Sequence, residues 1–180
     1  MSDEDMKIAG KPEQNNKDSF EESFLKQREN GNVAKAHKLG VDLADNVIIS
    51  EQRVHDFTDT VNFHSYVRQK RLLLAFVIHA SLNLYCKNSI LTETAKADFD
   101  TTVEKKSPVT DRDINEGTAF TLYYLAKRSN REKDIPAAIG KTFAELCGVK
   151  GNKVFINLGK ELFLEFEEIT KKAVENADFV

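Results

Sequence analysis

The sequence predicts an all-α protein, a single-domain helical bundle of about seven helices. Three observations lead to this prediction. Residues Leu72–Cys86 form the longest apolar run of the chain and lie near its middle. From Val41 to Ser107 the chain contains no Gly and no Pro, the residues that usually bound short buried strands. Other apolar residues recur at steps of three or four, and no stretch alternates apolar and polar residues as a strand does.

The central run is predicted to be a buried helix. A membrane-spanning helix needs about 20 apolar residues, whereas this run is shorter and is interrupted by His79, Ser81 and Asn83. A helix that is apolar on nearly every side is one that other helices surround. We expect the basic residues beside it to reach water by laying their methylene groups on apolar surface; these are Arg68, Lys70, Arg71 and Lys87.

The bulk properties of the chain favour a cytoplasmic protein. Its 180 residues suit one domain, and its net charge of −3 gives no general attraction to nucleic acid or acidic membranes. The N-terminus lacks the basic and apolar regions of a signal peptide. Cys86 and Cys147 are therefore expected to be reduced, buried thiols. Residues 1–17 are polar and aperiodic and are predicted to be a disordered tail, with a helical domain over 18–180.

The first half of the domain is predicted to contain two helices before the central one. Ser19-x-x-Glu22 has the form of a capping box, and Gly31 can end that first helix in the left-handed conformation. A second helix follows from apolar residues at alternating steps of three and four: Val33, Ala36, Gly40, Leu43 and Val47. The periodicity fades over residues 64–71, and the pattern leaves open whether residues 50–86 form one helix or two.

The second half is predicted to contain four further helices. One spans 89–105 and ends at Ser107-Pro108. Thr110-x-x-Asp113 opens another that runs to about Arg128, with Ile114, Thr118, Leu122 and Leu125 on one side. Pro136 suits the first turn of the next, which Gly148 ends. The last runs from Gly151 to Val174, and its apolar seam consists of Val154, Leu158, Leu162, Phe166, Ile169 and Ala173.

The motifs of catalysis and metal binding are incomplete in this chain. Asp111-x-Asp113-x-Asn115 resembles the start of a calcium loop, but Glu116 stands where the loop needs Gly and Leu122 where it needs Glu. Gly140-Lys-Thr142 matches only the end of a phosphate-binding loop. No two histidines have the spacing of metal ligands on one helix face. We therefore predict no catalytic residue, metal or cofactor, and favour a protein that is not an enzyme.

The segment 136–160 resembles, over this limited span, a helix-turn-helix of the repressor type. Ala144 and Gly148 stand four residues apart, as the first helix and the turn of that motif require, and Val149 and Val154 are apolar as expected. Asn157 departs from the pattern because it is polar at a core position. The resemblance implies possible DNA contacts from exposed residues after the turn, namely Lys150, Asn152, Lys153, Asn157 and Lys160. A plain helical hairpin with a glycine cap is the alternative.

The leading functional hypothesis is a non-catalytic domain that binds a protein partner, foremost further copies of itself as a homodimer or higher oligomer. It rests on apolar residues away from the predicted inner faces: Leu164, Phe120 and Tyr124. A DNA-binding regulator that uses residues 136–160 is the first alternative. A helical bundle that binds a small apolar ligand is the second, with His79 in its pocket. His79 as a hydrogen-bonded core histidine is the structural alternative to that role.

Overall fold

The structure, a computed structural model, describes residues 13–51, 63–129 and 134–180, and within them α-helix is the only regular secondary structure. The predicted all-α class is confirmed, with eight helices in the described residues where about seven are expected from periodicity. They are α1 (Glu13–Glu29), α2 (Asn32–Glu51), α3 (Phe63–Tyr85), α4 (Ser89–Lys106), α5 (Pro108–Glu116), α6 (Ala119–Ser129), α7 (Ile135–Leu146) and α8 (Lys153–Asn176).

The central helix α3 lies in the middle of the bundle, as its apolar run predicts. Residues Leu72 to Ile78 are all buried, and α3 packs against α2 and against α4 to α8. One expectation about its flanks is wrong, because Lys70 is buried instead of reaching water. Its ammonium group donates a hydrogen bond of 2.7 Å to the carbonyl oxygen of Ser50, since a buried cation needs polar partners.

Two helix pairs approach each other closely through glycine. At the α2–α4 contact, a side chain on Gly40 would place its Cβ 2.2 Å from the carbonyl oxygen of Ala95. At the α7–α8 contact, a Cβ on Gly140 would lie 2.2 Å from the carbonyl oxygen of Ile156. Gly159 lies in the same way against the ring of Phe143. Backbones can come this near only where the residue has no Cβ.

The helix predicted from Thr110 to about Arg128 is two helices, and this changes which face is buried. Gly117 adopts an extended conformation between α5 and α6 and so ends the helical periodicity. The buried residues of α6 are Ala119 and Tyr123, whereas Leu122 and Leu125, predicted on the inner side, are exposed. A face extrapolated across the break is wrong because the break resets the rotation of the helix about its axis.

The predicted signals for helix ends hold, whereas two predicted helix starts are wrong. Ser19, predicted to open the first helix, lies inside α1, and Thr110 lies inside α5, which begins at Pro108. Gly31 and Gly148 both have positive φ angles and follow α1 and α7. The N–H of Val149 donates to the carbonyl of Ala144 and that of Gly148 to Glu145, which is the Schellman pattern. Asn88 caps α4 through its side chain, and α4 ends at Lys106 with Ser107 as its C-cap.

The two least certain segments of the sequence have different outcomes. Helix α1 begins at Glu13, so residues 13–17, predicted as part of the tail, are helical, and the rest of that tail lies outside the described residues. Residues 52–62 also lie outside them. Helix α2 ends at Glu51 and α3 begins at Phe63, so the choice between one and two helices over 50–86 depends on residues outside the described part.

Candidate functional site

A cleft of about 550 Å³ lies between α3 and α6. Helix α3 contributes residues at steps of three and four, and so does α6, so that one face of each helix forms a wall. The first residue of α7 borders one end. The lining consists of Phe76, His79, Ala80 and Asn83 from α3, Phe120, Thr121, Tyr124, Lys127 and Arg128 from α6, and Ile135 from α7.

The inner part of the cleft is aromatic. Phe76 is buried, and its ring meets that of Phe120 edge-on with 5.9 Å between centroids. Behind it, Tyr123 lies 5.4 Å from the same Phe76 ring and is fully buried in the core. These contacts fix the orientation of the Phe76 and Phe120 rings. The interior wall of the cleft is therefore apolar and held in place by the hydrophobic core.

His79 is a hydrogen-bonded histidine that also lines the cleft. Its Nε2 lies 2.9 Å from Oδ1 of Asp100 on α4, so it is a hydrogen-bonded histidine at the edge of the core. Its ring packs edge-on against Phe99 and Phe120, at centroid distances of 5.4 and 5.9 Å. The same ring lines the cleft. The contact with Asp100 holds the imidazole in one orientation at the cleft wall.

A group of three polar side chains lies inside the core near α7, apart from the cleft. Tyr66, Tyr123 and Cys147 are all buried there. Burial, with a smaller contribution from Cys147, raises the pKa of Tyr66 to about 12 and that of Tyr123 well above its ordinary value. Burial alone raises the pKa of the Cys147 thiol to about 12. All three groups are therefore protonated at neutral pH, and the thiol is not a nucleophile.

The residues proposed to contact DNA surround the turn between α7 and α8. Asn152 caps α8, and its side-chain oxygen accepts from the N–H groups of Val154 and Phe155. Lys150 pairs with Glu145 at 2.7 Å, and Nζ of Lys160 lies 3.9 Å from Asp134. Lys153 and Asn157 are exposed. DNA contact by these residues stays a prediction.

The apolar seam predicted for α8 begins at Val154, whereas the buried face of the helix begins at Phe155. Val154, assigned to the seam and to the helix-turn-helix core, is 61% exposed, and Phe155 is buried in its place. The side chain of Phe155 packs between those of Tyr66 and Phe143, whose rings it meets at 6.2 and 6.4 Å. The larger apolar residue takes the inward position because it buries more surface.

The three residues proposed for an interface do not form one surface. Phe120 and Tyr124 line the α3–α6 cleft together with His79. Leu164 is 43% exposed on α8 and does not line that cleft. Its neighbours Glu161, Glu165 and Glu168 are exposed on the same helix. The outer side of α6 carries Leu122 and Leu125, which border a smaller groove against Leu146 of α7.

The weaker motifs have ordinary structural roles. Asp113 pairs with Arg68 at 3.0 Å, and Asn115 donates to Asp111 within α5. Among residues 13–51, 63–129 and 134–180, no group of three or more His, Cys, Asp or Glu side chains is arranged to hold a metal ion. Cys86 and Cys147 are buried and are not joined in a disulfide. Within the same part of the chain, no helix has the length and hydropathy to cross a bilayer.

Comparisons with protein-family models, with curated proteins and with solved structures found no match to this chain.

Several lining residues are absent from the sequence predictions. Lys127, Arg128 and Ile135 reach the cleft because α6 packs against α3 and α7 begins shortly after α6 in the chain. Asn83 and Thr121 are single polar residues without a motif. One local signal was available, because Asn83 follows His79 by four residues and so places two polar side chains on one edge of an otherwise apolar helix.

Proposed function

We propose that the protein binds a small organic molecule in the cleft between α3 and α6. The observation that carries this proposal is a concavity of about 550 Å³ with an aromatic interior and a mostly apolar surface. Pockets for small ligands typically have about 300–1,000 Å³, mostly apolar walls and a small number of placed polar groups. His79, Asn83 and Thr121 supply such groups here.

The positions of three predicted residues favour this function over self-association at the same place. His79 was expected in a ligand pocket, and Phe120 and Tyr124 at an interface between proteins. All three line one cleft. Their apolar surface is concave, which suits a compact ligand, whereas two-fold association needs a self-complementary patch.

The test is binding of phenylnaphthylamine, an uncharged aromatic probe whose fluorescence rises in apolar surroundings. Ala80 lines the cleft and is half-buried, so Ala80→Phe should fill part of the space with a second ring. We expect affinity to fall at least about tenfold, which corresponds to 1.4 kcal/mol. Ala34→Phe is the matched control, since Ala34 is exposed on α2 and does not line the cleft.

Two outcomes would contradict the proposal. One is the absence of saturable probe binding to the wild-type chain. The other is equal binding by wild type, Ala80→Phe and Ala34→Phe, which would place the probe elsewhere. Circular dichroism of each variant checks that the helices are retained.

Self-association is the second candidate, and it is supported by the exposed Leu164 and by Leu122 and Leu125 on the outer side of α6. Three large apolar side chains exposed to water favour contact with another protein surface. The cytoplasmic location likewise stays a proposal.

A further inference from the structure

We propose that the ligand of the α3–α6 cleft is an aromatic molecule with a hydrogen-bond donor, a phenolic O–H or a ring N–H, which it donates to Nδ1 of His79. This inference rests on the ligand-binding function proposed above. It goes further by naming the polar group of the ligand and the atom of the protein that recognises it.

The position of the His79 ring is the first step. The ring lies between α4 and α6, since it packs edge-on against Phe99 of α4 at 5.4 Å and against Phe120 of α6 at 5.9 Å. Its Nε2 contacts Oδ1 of Asp100 on α4 at 2.9 Å, and its side chain is 23% exposed. The two nitrogens lie on different edges of an imidazole. With Nε2 held by Asp100, Nδ1 is the ring nitrogen available to a ligand in the cleft.

The hydrogen-bonding state of the ring is the second step. An ionised carboxylate only accepts hydrogen bonds, so Nε2 carries the proton in its contact with Asp100. In the neutral imidazole Nδ1 is then an acceptor. Nδ1 has no hydrogen-bond partner among the described residues and remains accessible to solvent. The cleft therefore contains an acceptor of fixed orientation, which a hydrogen-bond donor on the ligand would satisfy.

The other lining residues determine the body of the ligand. Phe76, Phe120 and Tyr124 give the cleft aromatic surface, against which a flat ring packs in edge-on or offset contacts. Asn83 lies four residues after His79 on the same face of α3, is exposed, and lines the cleft. Its amide can donate to the oxygen of a phenol whose proton is directed at His79. An acceptor and a donor on one wall suit a hydroxyl group on an aromatic ring.

A second His–Asp pair separates the structural role of such a contact from recognition. His37 on α2 contacts Asp98 on α4 through its Nδ1, its side chain is 56% exposed, and it does not line the cleft. Both pairs join a neighbouring helix to α4. A purely structural role for His79 predicts that its loss changes stability alone. Recognition predicts a loss of affinity that depends on the donor of the ligand.

The experiment compares β-naphthol with its methyl ether, which has the same rings and oxygen but no O–H. Binding to the full chain is measured at about pH 8, where an ordinary imidazole is neutral. His79→Phe removes the acceptor and keeps a planar ring. We expect this variant to weaken binding of β-naphthol roughly 3- to 10-fold more than binding of the ether, as one hydrogen bond implies. His37→Phe is the matched control, since it breaks the other pair and should leave the ratio of the two affinities unchanged.

The outcomes separate this inference from the proposed function. If both probes bind and Ala80→Phe weakens both, while His79→Phe leaves the ratio of their affinities unchanged, ligand binding stands and the donor inference fails. The inference also fails if His37→Phe changes the ratio as much as His79→Phe does. Binding of neither probe overturns both proposals.

Should His79→Phe not fold, nitrogen NMR of the wild-type chain tests the same contact. Accepting a hydrogen bond changes the chemical shift of an imidazole nitrogen far more than a neighbouring aromatic ring does. β-Naphthol should therefore move the Nδ1 resonance of His79 well beyond the change that its methyl ether produces. Equal changes with the two probes would overturn the inference.

Discussion

Replacing Tyr123 by Phe should stabilise the protein, although Tyr123 is among the largest fully buried side chains of the core. Its hydroxyl has no hydrogen-bond partner among the described residues. A buried hydroxyl without a partner costs about 1–3 kcal/mol relative to water. The Phe ring keeps the packing on Phe76, whose centroid lies 5.4 Å away, and loses only one oxygen atom of contact. We expect a net gain of about 1 kcal/mol in the free energy of unfolding.

The measurement is urea unfolding followed by circular dichroism, supported by thermal melts. For a chain of this size, a gain of about 1 kcal/mol raises Tm by roughly 2–4 °C. Tyr124→Phe is the matched control, because it removes the same atom from the next residue, which is 54% exposed, and should leave stability unchanged. A loss of stability in Tyr123→Phe would refute the reasoning, since it would show that the hydroxyl has a partner in solution.

Three further predictions concern the core and the surface. Stability should fall as pH rises above 9.0, and Cys147 should contribute roughly 2 kcal/mol of this loss by pH 11. Its thiol has an ordinary pKa of 9.0 and a folded pKa of about 12, so the unfolded chain loses its proton first. Tyr66 and Tyr123, whose pKa values burial raises from 10.0, add to the loss at higher pH. Urea titrations at each pH should show a shallower slope in Cys147→Ala than in wild type, and an equal slope in both proteins would contradict this. Gly140→Ala should lower the free energy of unfolding by about 2 kcal/mol. Its Cβ would lie 2.2 Å from the Ile156 carbonyl oxygen, and this clash outweighs the roughly 1 kcal/mol gain in helix propensity. Urea unfolding measures the loss against the control Asn157→Ala, exposed on α8, and a gain in stability at Gly140 would mean that the helices are not in contact. If the chain forms a homodimer through Leu164, then Leu164→Glu should halve the mass measured by light scattering while the variant keeps its helicity. A monomeric wild type, or a variant that unfolds, rules this interface out.

Strong periodicity predicts helices well in this chain because burial and helical spacing agree there. The run from Leu72 to Ile78 is both the most apolar stretch and the centre of the core. The glycines at 31 and 148 mark helix ends because each adopts a positive φ angle that other residues disfavour. In these places a local rule and the tertiary structure favour the same conformation.

Local rules fail where two faces of a helix carry similar residues. On α6, Leu122 and Leu125 continue a ladder read from Ile114, but the break at Gly117 turns Tyr123 inward instead. On α8, Val154 and Phe155 are both apolar, and only packing against Tyr66 and Phe143 decides between them. The sequence shows which residues are apolar, but it does not show how each helix is rotated against its neighbours.

The cleft could be predicted only in part for a related reason. His79 is conspicuous because it interrupts an apolar run, and Phe120 and Tyr124 because they fall beside an occupied face. Their meeting depends on the packing of α6 against α3, across more than 30 residues of chain. No local pattern encodes that contact. The sequence therefore suggests a ligand pocket at His79 and, separately, a protein interface at Phe120 and Tyr124.

The close helix contacts at Gly40 and Gly140 have different consequences for the folding pathway. Helices α7 and α8 are consecutive and joined by the short turn at 147–152, so their contact requires little loop closure. Helices α2 and α4 are separated in sequence by the whole of α3, so their contact requires a longer loop to close. We therefore expect the α7–α8 hairpin to form early, so that Gly140→Ala mainly slows refolding. Gly40→Ala should instead mainly accelerate unfolding, because its contact with Ala95 forms after the transition state.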